Sequence, residues 1–340
     1  MRPLFPAYSV AQRRGGLVAP TITVAPVLTW TVAIGGSPAI TPPTYTGSPG
    51  TITYTLRRDG VAVGGLTDVS EATIEAHVGV SADIWPDIDV VATVTNGAGS
   101  DSEGSNVVAY ALSQHWRHVY DAANASATAG LVDSIDDTGS HGGINVTATL
   151  LERPTLNATD AGFNNEPSIT FDGTTDNLRN TDVDLNAALT SAQIFACMRI
   201  ESASAANQCW VTLHNNTDSL RLRQVGADAT AKPRWTSVST AVNSDWSTVP
   251  GEGVEILCGG AWTGGTSQFI YNGSTQEDTD TPVETSIGDV QQLFIGALGG
   301  PTPTLFANVT IALVVIALNT VDSAARTHLL AYCQNRFGVP

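Results

Sequence analysis

From residue 21 onward the chain runs in short β-branched segments separated by Gly, Pro and Ser, at 21–24, 27–33, 51–57, 72–77, 89–95 and 106–110. Runs of this length between turn signals such as Arg58-Asp59-Gly60 and Asn96-Gly97 predict a small β-sandwich over residues 21–110. A larger β region follows over 111–340. Its first part, rich in Asp, Gly and Asn, reads as loop, and strands are then predicted at 168–171, 193–200, 209–213, 219–225, 254–258, 268–271, 292–295 and 309–318. The last of these is apolar on both faces, which predicts a central strand covered on both sides. The chain closes on a different period. Ala325, Leu329, Tyr332, Cys333 and Phe337, with Leu330 beside them, recur at helical spacing; Asp322 offers an N-cap, Arg336 falls in the last turn and Gly338 in the stop position. Residues 1–20 show no period and contain Pro3, Pro6, Gly15, Gly16 and Pro20, so they read as an extended arm.

Local motifs add a resemblance to each unit. The stretch YTLRRDGVAVGG at 54–65, followed by VVATVTNGAGSDSEGS at 90–105, resembles the immunoglobulin-like modules of bacterial and phage surface proteins. It has no cysteine, so the inter-sheet disulfide of antibody domains is missing. In the larger unit the motifs are VDSIDDTGSHGG at 132–143, Arg153-Pro154-Thr155, Phe171-Asp172-Gly173 with Asp176 and Leu178, Tyr271-Asn272-Gly273, Ile295-Gly296-Ala297 and VDSAARTHLLAYCQNRFG at 321–338. In this order they resemble the concanavalin A-like or laminin-G-like jelly roll, with Ala325 standing where that family has Glu. The two resemblances imply an all-β chain: an immunoglobulin-like sandwich, then a jelly-roll sandwich with one C-terminal helix. The matched residues are those of turns and packing, which speak to fold and not to chemistry.

Charge divides the chain unevenly. Fifteen basic against 32 acidic side chains give a net charge of −17 over 340 residues. Arg2, Arg13 and Arg14 fall in the first twenty residues, where there is no Asp or Glu, so the remainder is more acidic still. Such a body repels phosphate backbones and excludes a general nucleic-acid partner. The longest apolar run, 311–318, is far shorter than the roughly 20 residues a bilayer core requires, so no membrane insertion is expected. Nor does the amino terminus carry the apolar stretch of a signal peptide. Four cysteines do not make a disulfide scaffold. Cys197 and Cys209 flank a Ser/Ala-rich stretch that reads as a hairpin tip, which would set them face to face. Cys258 and Cys333 stand alone, and the plainer reading of all four is that of small buried hydrophobes.

Candidate chemistry is sparse. Glycoside hydrolysis needs two carboxyl groups on one face, and the alternating pattern E-x-D-x-E is absent. Glu71 and Glu75 lie in the smaller unit, while Glu252 and Glu255, three apart, point to opposite faces of a strand. His115 and His118 sit at the junction of the units without a third metal ligand and read as solvated; His141 lies in a Gly-rich loop. Asp133, Asp136 and Asp137, and Asp182 with Asp184, form acidic clusters in which Ca²⁺ is weighed against a solvated turn; no other cofactor is expected. A sugar site needs an aromatic face beside amide or carboxylate groups. Trp235, Trp246 and Trp262 flank the Ser/Thr/Asn-rich segment 236–248. Trp246, with Asn243 and Asp245, is the expected exposed contact, against the alternative that each Trp fills the core.

The resemblances and these absences together predict a non-enzymatic virion protein, a head decoration or spike or a tail-associated adhesin of a bacteriophage. Its arm (Arg2, Arg13, Arg14) would anchor it to other capsid or tail proteins, and its jelly roll would meet host-surface glycans, in several copies or as a homo-oligomer on the particle. An extracellular polysaccharide-cleaving enzyme on the same fold, or a secreted bacterial adhesin, are the alternatives.

Overall fold

The computed structural model describes residues 16–33, 35–84, 86–140, 143–181, 189–202, 207–215, 218–226, 232–237, 242–248, 250–282, 285–299, 302–319 and 323–340. Two compact units emerge, Met1–Tyr110 and Ala111–Pro340. Arg2, Arg13 and Arg14 lie outside the described residues, as do His141, Asp182, Asp184 and Asp322.

The smaller unit contains β1 (Thr21–Val24), β2 (Val27–Thr29), β3 (Ala39–Thr41), β4 (Thr44–Thr46), β5 (Thr51–Arg58), β6 (Val61–Ala62), β7 (Ile88–Asn96) and β8 (Gly99–Gly104). One antiparallel sheet has the order β6-β5-β7-β8, and β1–β4 and β2–β3 pair separately. Period-two alternation sends Tyr54, Leu56, Val90, Ala92 and Val94 inward. Asp59 (φ 48°) and Gly60 (φ 78°) supply the left-handed pair that joins β5 to β6.

Two expected strands take other forms. Residues 72–77, read as a strand, fall largely in a short helix α1 (Glu71–Glu75), because Ser70 caps it by accepting from the Thr73 backbone N–H at 3.3 Å. Residues 106–110 make a single bridge, Ile88 to Val108. There the Asn106 side chain does the pairing: its Oδ1 accepts from Leu28 N at 2.8 Å and its Nδ2 donates to Leu28 O at 2.9 Å.

In the larger unit the strands are β9 (His118–Thr128), β10 (Leu131–Asp137), β11 (Val146–Thr147), β12 (Thr155–Asp160), β13 (Glu166–Asp172), β14 (Leu178–Asn180), β15 (Ser191–Ile200), β16 (Asn207–His214), β17 (Ser219–Val225), β18 (Lys232–Ser237), β19 (Val242–Asp245), β20 (Glu255–Thr263), β21 (Ser267–Asn272), β22 (Thr275–Asp280), β23 (Gln292–Ile295) and β24 (Asn308–Ala317). One hydrogen-bonded path runs β19-β18-β17-β16-β23-β14-β11-β10 and continues β12-β13-β24-β15-β20-β21-β22, with β9 pairing both β10 and β24. Between β10 and β12 the register is a single pair, Leu131 with Thr155. The path doubles back there. Trp235 on β18 consequently packs on Gly260 of β20, where an added Cβ would stand 2.0 Å from the indole. The Gly259-Gly260 pair in mid-strand is thus the sequence's allowance for a ring from the opposite sheet. The chain is all-β, with sandwich-like sheets and one C-terminal helix.

Between the two sheets lies one apolar cluster that includes Ile194, Ala196, Met198, Trp210, Leu222, Trp235, Trp246, Val309, Ile311 and Val314. β24 is buried along nearly its whole length, as its two-faced apolar pattern predicts. Helix α2 (Ser323–Phe337) buries Ala325, Leu329, Tyr332, Cys333 and Phe337, and Gly338 (φ 70°) ends it, its N–H donating to Gln334 O at 3.1 Å. The helix backs the sheet β12–β22: Arg326 lies over Tyr271 at 4.8 Å, and buried Arg336 binds Asp121 and Glu166.

The early part of this unit is not loop. Residues 118–137 form the β9–β10 hairpin, turned by Ala129 (φ 53°) and Gly130 (φ 80°). Register shifts between Val132 and Ser134, and again between Ile135 and Asp137, break the alternation that would mark a strand.

Candidate functional site

The aromatic site expected at 235–262 does not form. Trp235, Trp246 and Trp262 are 0%, 2% and 1% exposed. Trp246, expected at the surface, turns inward, and its Nε1 donates to Tyr271 O at 3.0 Å. Its polar neighbours misled: in β19 Ser244 is buried while Asn243 and Asp245 stand on the outer face, and the chain then carries Trp246 under β18, where its N–H donates to Pro233 O at 3.1 Å. Asn243 and Asp245 are thus separated from all three rings by the sheet itself. Asp245 forms a two-pronged pair with Arg234 at 2.5 and 2.6 Å, and Asn243 accepts from Thr236 at 2.8 Å.

The acid cluster of β10 also resolves into separate pairs. Asp133 accepts from Arg153 (2.8 Å) and Thr128 (2.6 Å), Asp136 from Asn145 (2.7 Å), and Asp137 from His118 (2.7 Å). The Thr128 hydroxyl and the Arg153 guanidinium hold Asp133 below its ordinary value. Burial alone would raise Asp137, but hydrogen bonds from His118 and from the Gly139 and Val119 N–H groups outweigh it and hold the carboxyl down. His118 is 3% exposed, a structural residue and not a solvated one. Among the described residues no group of three His, Cys, Asp or Glu is placed to hold a metal ion. Cys197 and Cys209 do not share a hairpin either. β15 pairs with β20 and β24, β16 with β17 and β23, and all four cysteines are buried and unbridged.

What the structure does build is an open polar groove of about 480 Å³ on the outer face of the helix-backed sheet, lined by Asn157, Thr159, Asp160, Ala161, Thr170, Arg199, Glu201 and Asn308. Its floor is a row of outward side chains across four strands, since Thr170 lies opposite Thr310, and Thr310 opposite Arg199, which faces Glu255. Arg199 holds the row together. Its Nη1 reaches Asp160 at 3.2 Å and Glu255 at 3.1 Å, and its Nε reaches Glu201 at 2.8 Å. Phe163 lies under the guanidinium at 5.4 Å. Close approach at Gly162 makes this possible, because a Cβ there would fall 2.1 Å from Arg199 Nη1 and 2.2 Å from Glu255 Oε1.

Hydroxyls and amides complete the lining. Asn157 Nδ2 donates to Ser168 (3.1 Å) and Thr170 (2.9 Å), Thr170 and Thr310 share a bond of 2.8 Å, and Thr310 donates to Glu201. Burial would raise Asp160, yet hydrogen bonds from Ser168, Arg199 and the Gly162 N–H overcome it and keep the carboxyl below its usual range. The same carboxylates push Arg199 upward against its own desolvation. The groove therefore presents fixed acceptors and donors around one guanidinium and three carboxylates. It can hydrogen-bond a neutral polyhydroxylated ligand, and Asp160, held ionised, has no proton to give.

None of these residues stood out by motif. The alternation Arg199-Ile200-Glu201 and the lone hydroxyl Thr310 in an otherwise apolar strand are the signals that mark the row. Glu255 has its partner, Arg199, on the neighbouring strand and not in its local neighbour Glu252.

No family model matches the sequence, and no curated protein does. Among solved structures, the chain is similar to the binding domain of botulinum neurotoxin serotype D/C (TM-score 0.47, 15% identity, 66% of this chain and 53% of that one). It is similar also to the botulinum neurotoxin DC binding domain in complex with rat synaptotagmin II (0.48, 13%, 65% and 52%). A third is the binding domain of Paraclostridial Mosquitocidal Protein 1 (0.48, 8%, 65% and 52%). The chain spans about half the length of these structures. None of the scores reaches 0.5, so they define neither the family nor the function of this chain.

Proposed function

We propose that this chain is a non-enzymatic glycan-binding protein displayed on a bacteriophage particle, with the larger unit a concanavalin A-like lectin domain and the smaller an immunoglobulin-like spacer. The groove around Arg199 carries the binding part of this reading. Sugars offer rows of hydroxyls, and Asn157, Thr159, Thr170, Asp160, Glu201 and Asn308 place amide, hydroxyl and carboxylate groups along one open face. Three carboxylates gathered on one guanidinium favour binding over hydrolysis, which requires one carboxyl group kept protonated. The display part rests on the motif resemblances and on the basic arm, which docks on an acidic shell.

The test is a glycan array probed with the full chain and with Ala161→Trp, which fills the exposed wall of the groove. Binding by the parent chain and its loss in the variant are expected. A parent chain that binds no glycan overturns the lectin reading, binding unchanged by the variant moves it away from the groove, and release of reducing ends from a bound polysaccharide replaces it with hydrolysis. Deleting residues 1–20 is expected to abolish incorporation into particles, and normal incorporation removes the arm as the anchor.

A further inference from the structure

The opposite outer face of the sandwich, on β16–β19, has the reverse electrostatics. Cross-strand register places Thr212, Arg221, Thr236 and Asn243 in one row. The next row is Cys209, Arg223, Arg234 and Asp245. Asp245 is committed to Arg234 through both its oxygens, and its own N–H is held by Asp278 at 3.1 Å. Arg221 and Arg223 make no ion pair among the described residues. Their Nε atoms are fixed instead by hydroxyls, Arg221 on Ser219 and Arg223 on Thr236 at 3.1 Å. Thr236 is itself buried and donates onward to Asn243.

This arrangement is costly unless something neutralises it. Arg223 lies directly opposite Arg234, and like charges in that position destabilise a sheet. Desolvation lowers Arg223 from its ordinary value; Cys209 opposes it, while Arg234 and Arg221 add to the lowering and Asp245 resists it least. Among the described residues these two rows set Arg221, Arg223 and Arg234 against the carboxylate of Asp245, with Asp278 of β22 beyond it, on a chain of net charge −17. Nε of each is anchored on a hydroxyl, and arginine grips an oxyanion with two parallel hydrogen bonds from its guanidinium fork.

We infer that the β16–β19 face is a second binding site, taking an anionic group on a saccharide, a carboxylate or a sulfate, between Arg221 and Arg223. Asn243, in the row of Arg221, flanks that position and meets an adjacent hydroxyl. The site lies on the other sheet from the groove and is independent of it.

Biolayer interferometry of the full chain against dextran sulfate, carboxymethyl-dextran and uncharged dextran tests this at low and at raised ionic strength. Salt-sensitive binding to one or both charged polymers, in excess of any salt-insensitive binding of uncharged dextran by the groove, is expected; which polymer binds identifies the anion. Arg221→Gln and Arg223→Gln should each weaken it roughly tenfold or more. Gln keeps a donor for the hydroxyl partner, and Arg221→Gln, at a half-exposed position, keeps the test open should Arg223→Gln misfold. Arg153→Gln, which removes an equal charge elsewhere, and Ala161→Trp should leave binding unchanged. Failure to bind either charged polymer, or equal binding by the Arg221 and Arg223 variants, overturns the proposal while leaving the groove's own test untouched.

Discussion

Arg199 and Arg223 occupy comparable places, each in mid-row on the outer face of one sheet of the same sandwich, and they live in opposite surroundings. Arg199 is shared by Asp160, Glu201 and Glu255, within 3.2 Å of each, so its charge is spent inside the protein. Arg223 faces another arginine across the strand and touches a hydroxyl. An arginine on a β-face is therefore no guide to function until its partners are counted. Where carboxylates surround it the guanidinium is neutralised within the fold, and where they are missing its charge is left to be met from outside.

Three perturbations probe that contrast, beginning with the interior that supports the arginine-rich face. Trp246 is buried beneath β18, so Trp246→Ala should cost about 3–5 kcal/mol of stability and abolish anion binding together with the fold around it, read by denaturant unfolding. A surface tryptophan would cost almost nothing. Next, Arg199→Ala leaves three carboxylates without their cation and should cost about 3 kcal/mol, whereas Arg221→Ala should stay within about 0.5 kcal/mol. Equal effects in the two variants would erase the distinction between the faces.

The smallest effect concerns the turn after β13. Burial alone would raise Asp172, but the Thr174 hydroxyl and the N–H groups of Thr175, Thr174 and Asp176 hold it down to about 2. Asp176, desolvated and beside that charge, is pushed up to about 6. A carboxyl raised in the folded state opposes folding once ionised, fully above about 6 and not at all below its ordinary value of 3.8. Asp176→Asn, which still accepts from the Asp172 N–H, should thus raise Tm at pH 7 by about 2 °C after allowance for solvent screening. The gain should fade as pH drops through that window. A gain independent of pH would mean that charge is not its cause.

Elements whose pattern is dictated by burial on a single axis were legible in the sequence. β24, apolar on both faces, and α2, with its 3.6-residue stripe, are where their side chains require them. The hairpin β9–β10 was not, because two register shifts scramble its alternation, and α1 was not, because five residues carry too little period to outweigh β-branched content. Site residues were harder for a related reason. Asn243-Ser244-Asp245-Trp246 reads as a polar exposed loop, but an edge strand is polar on one face only, and Trp246 follows the inward face of Ser244. Glu255, Thr310 and Arg199 are 55 to 111 positions apart in pairs and meet only through strand register, which no local window contains.

Arg336 of the last helical turn is bonded to Asp121 of β9, 215 positions earlier, and β9 in turn pairs with β24. The larger unit is closed by contacts between its two ends, a topology of high contact order in which loop closure precedes any reward. During synthesis β9 emerges with its second partner, β24, nearly two hundred residues away. Until that partner and the terminal helix are made, β9 has only its β10 hairpin, and the groove, whose floor includes β24, has no floor. A chain that lacked β24 would leave β13 and β15 without the strand between them, and so an open sheet edge.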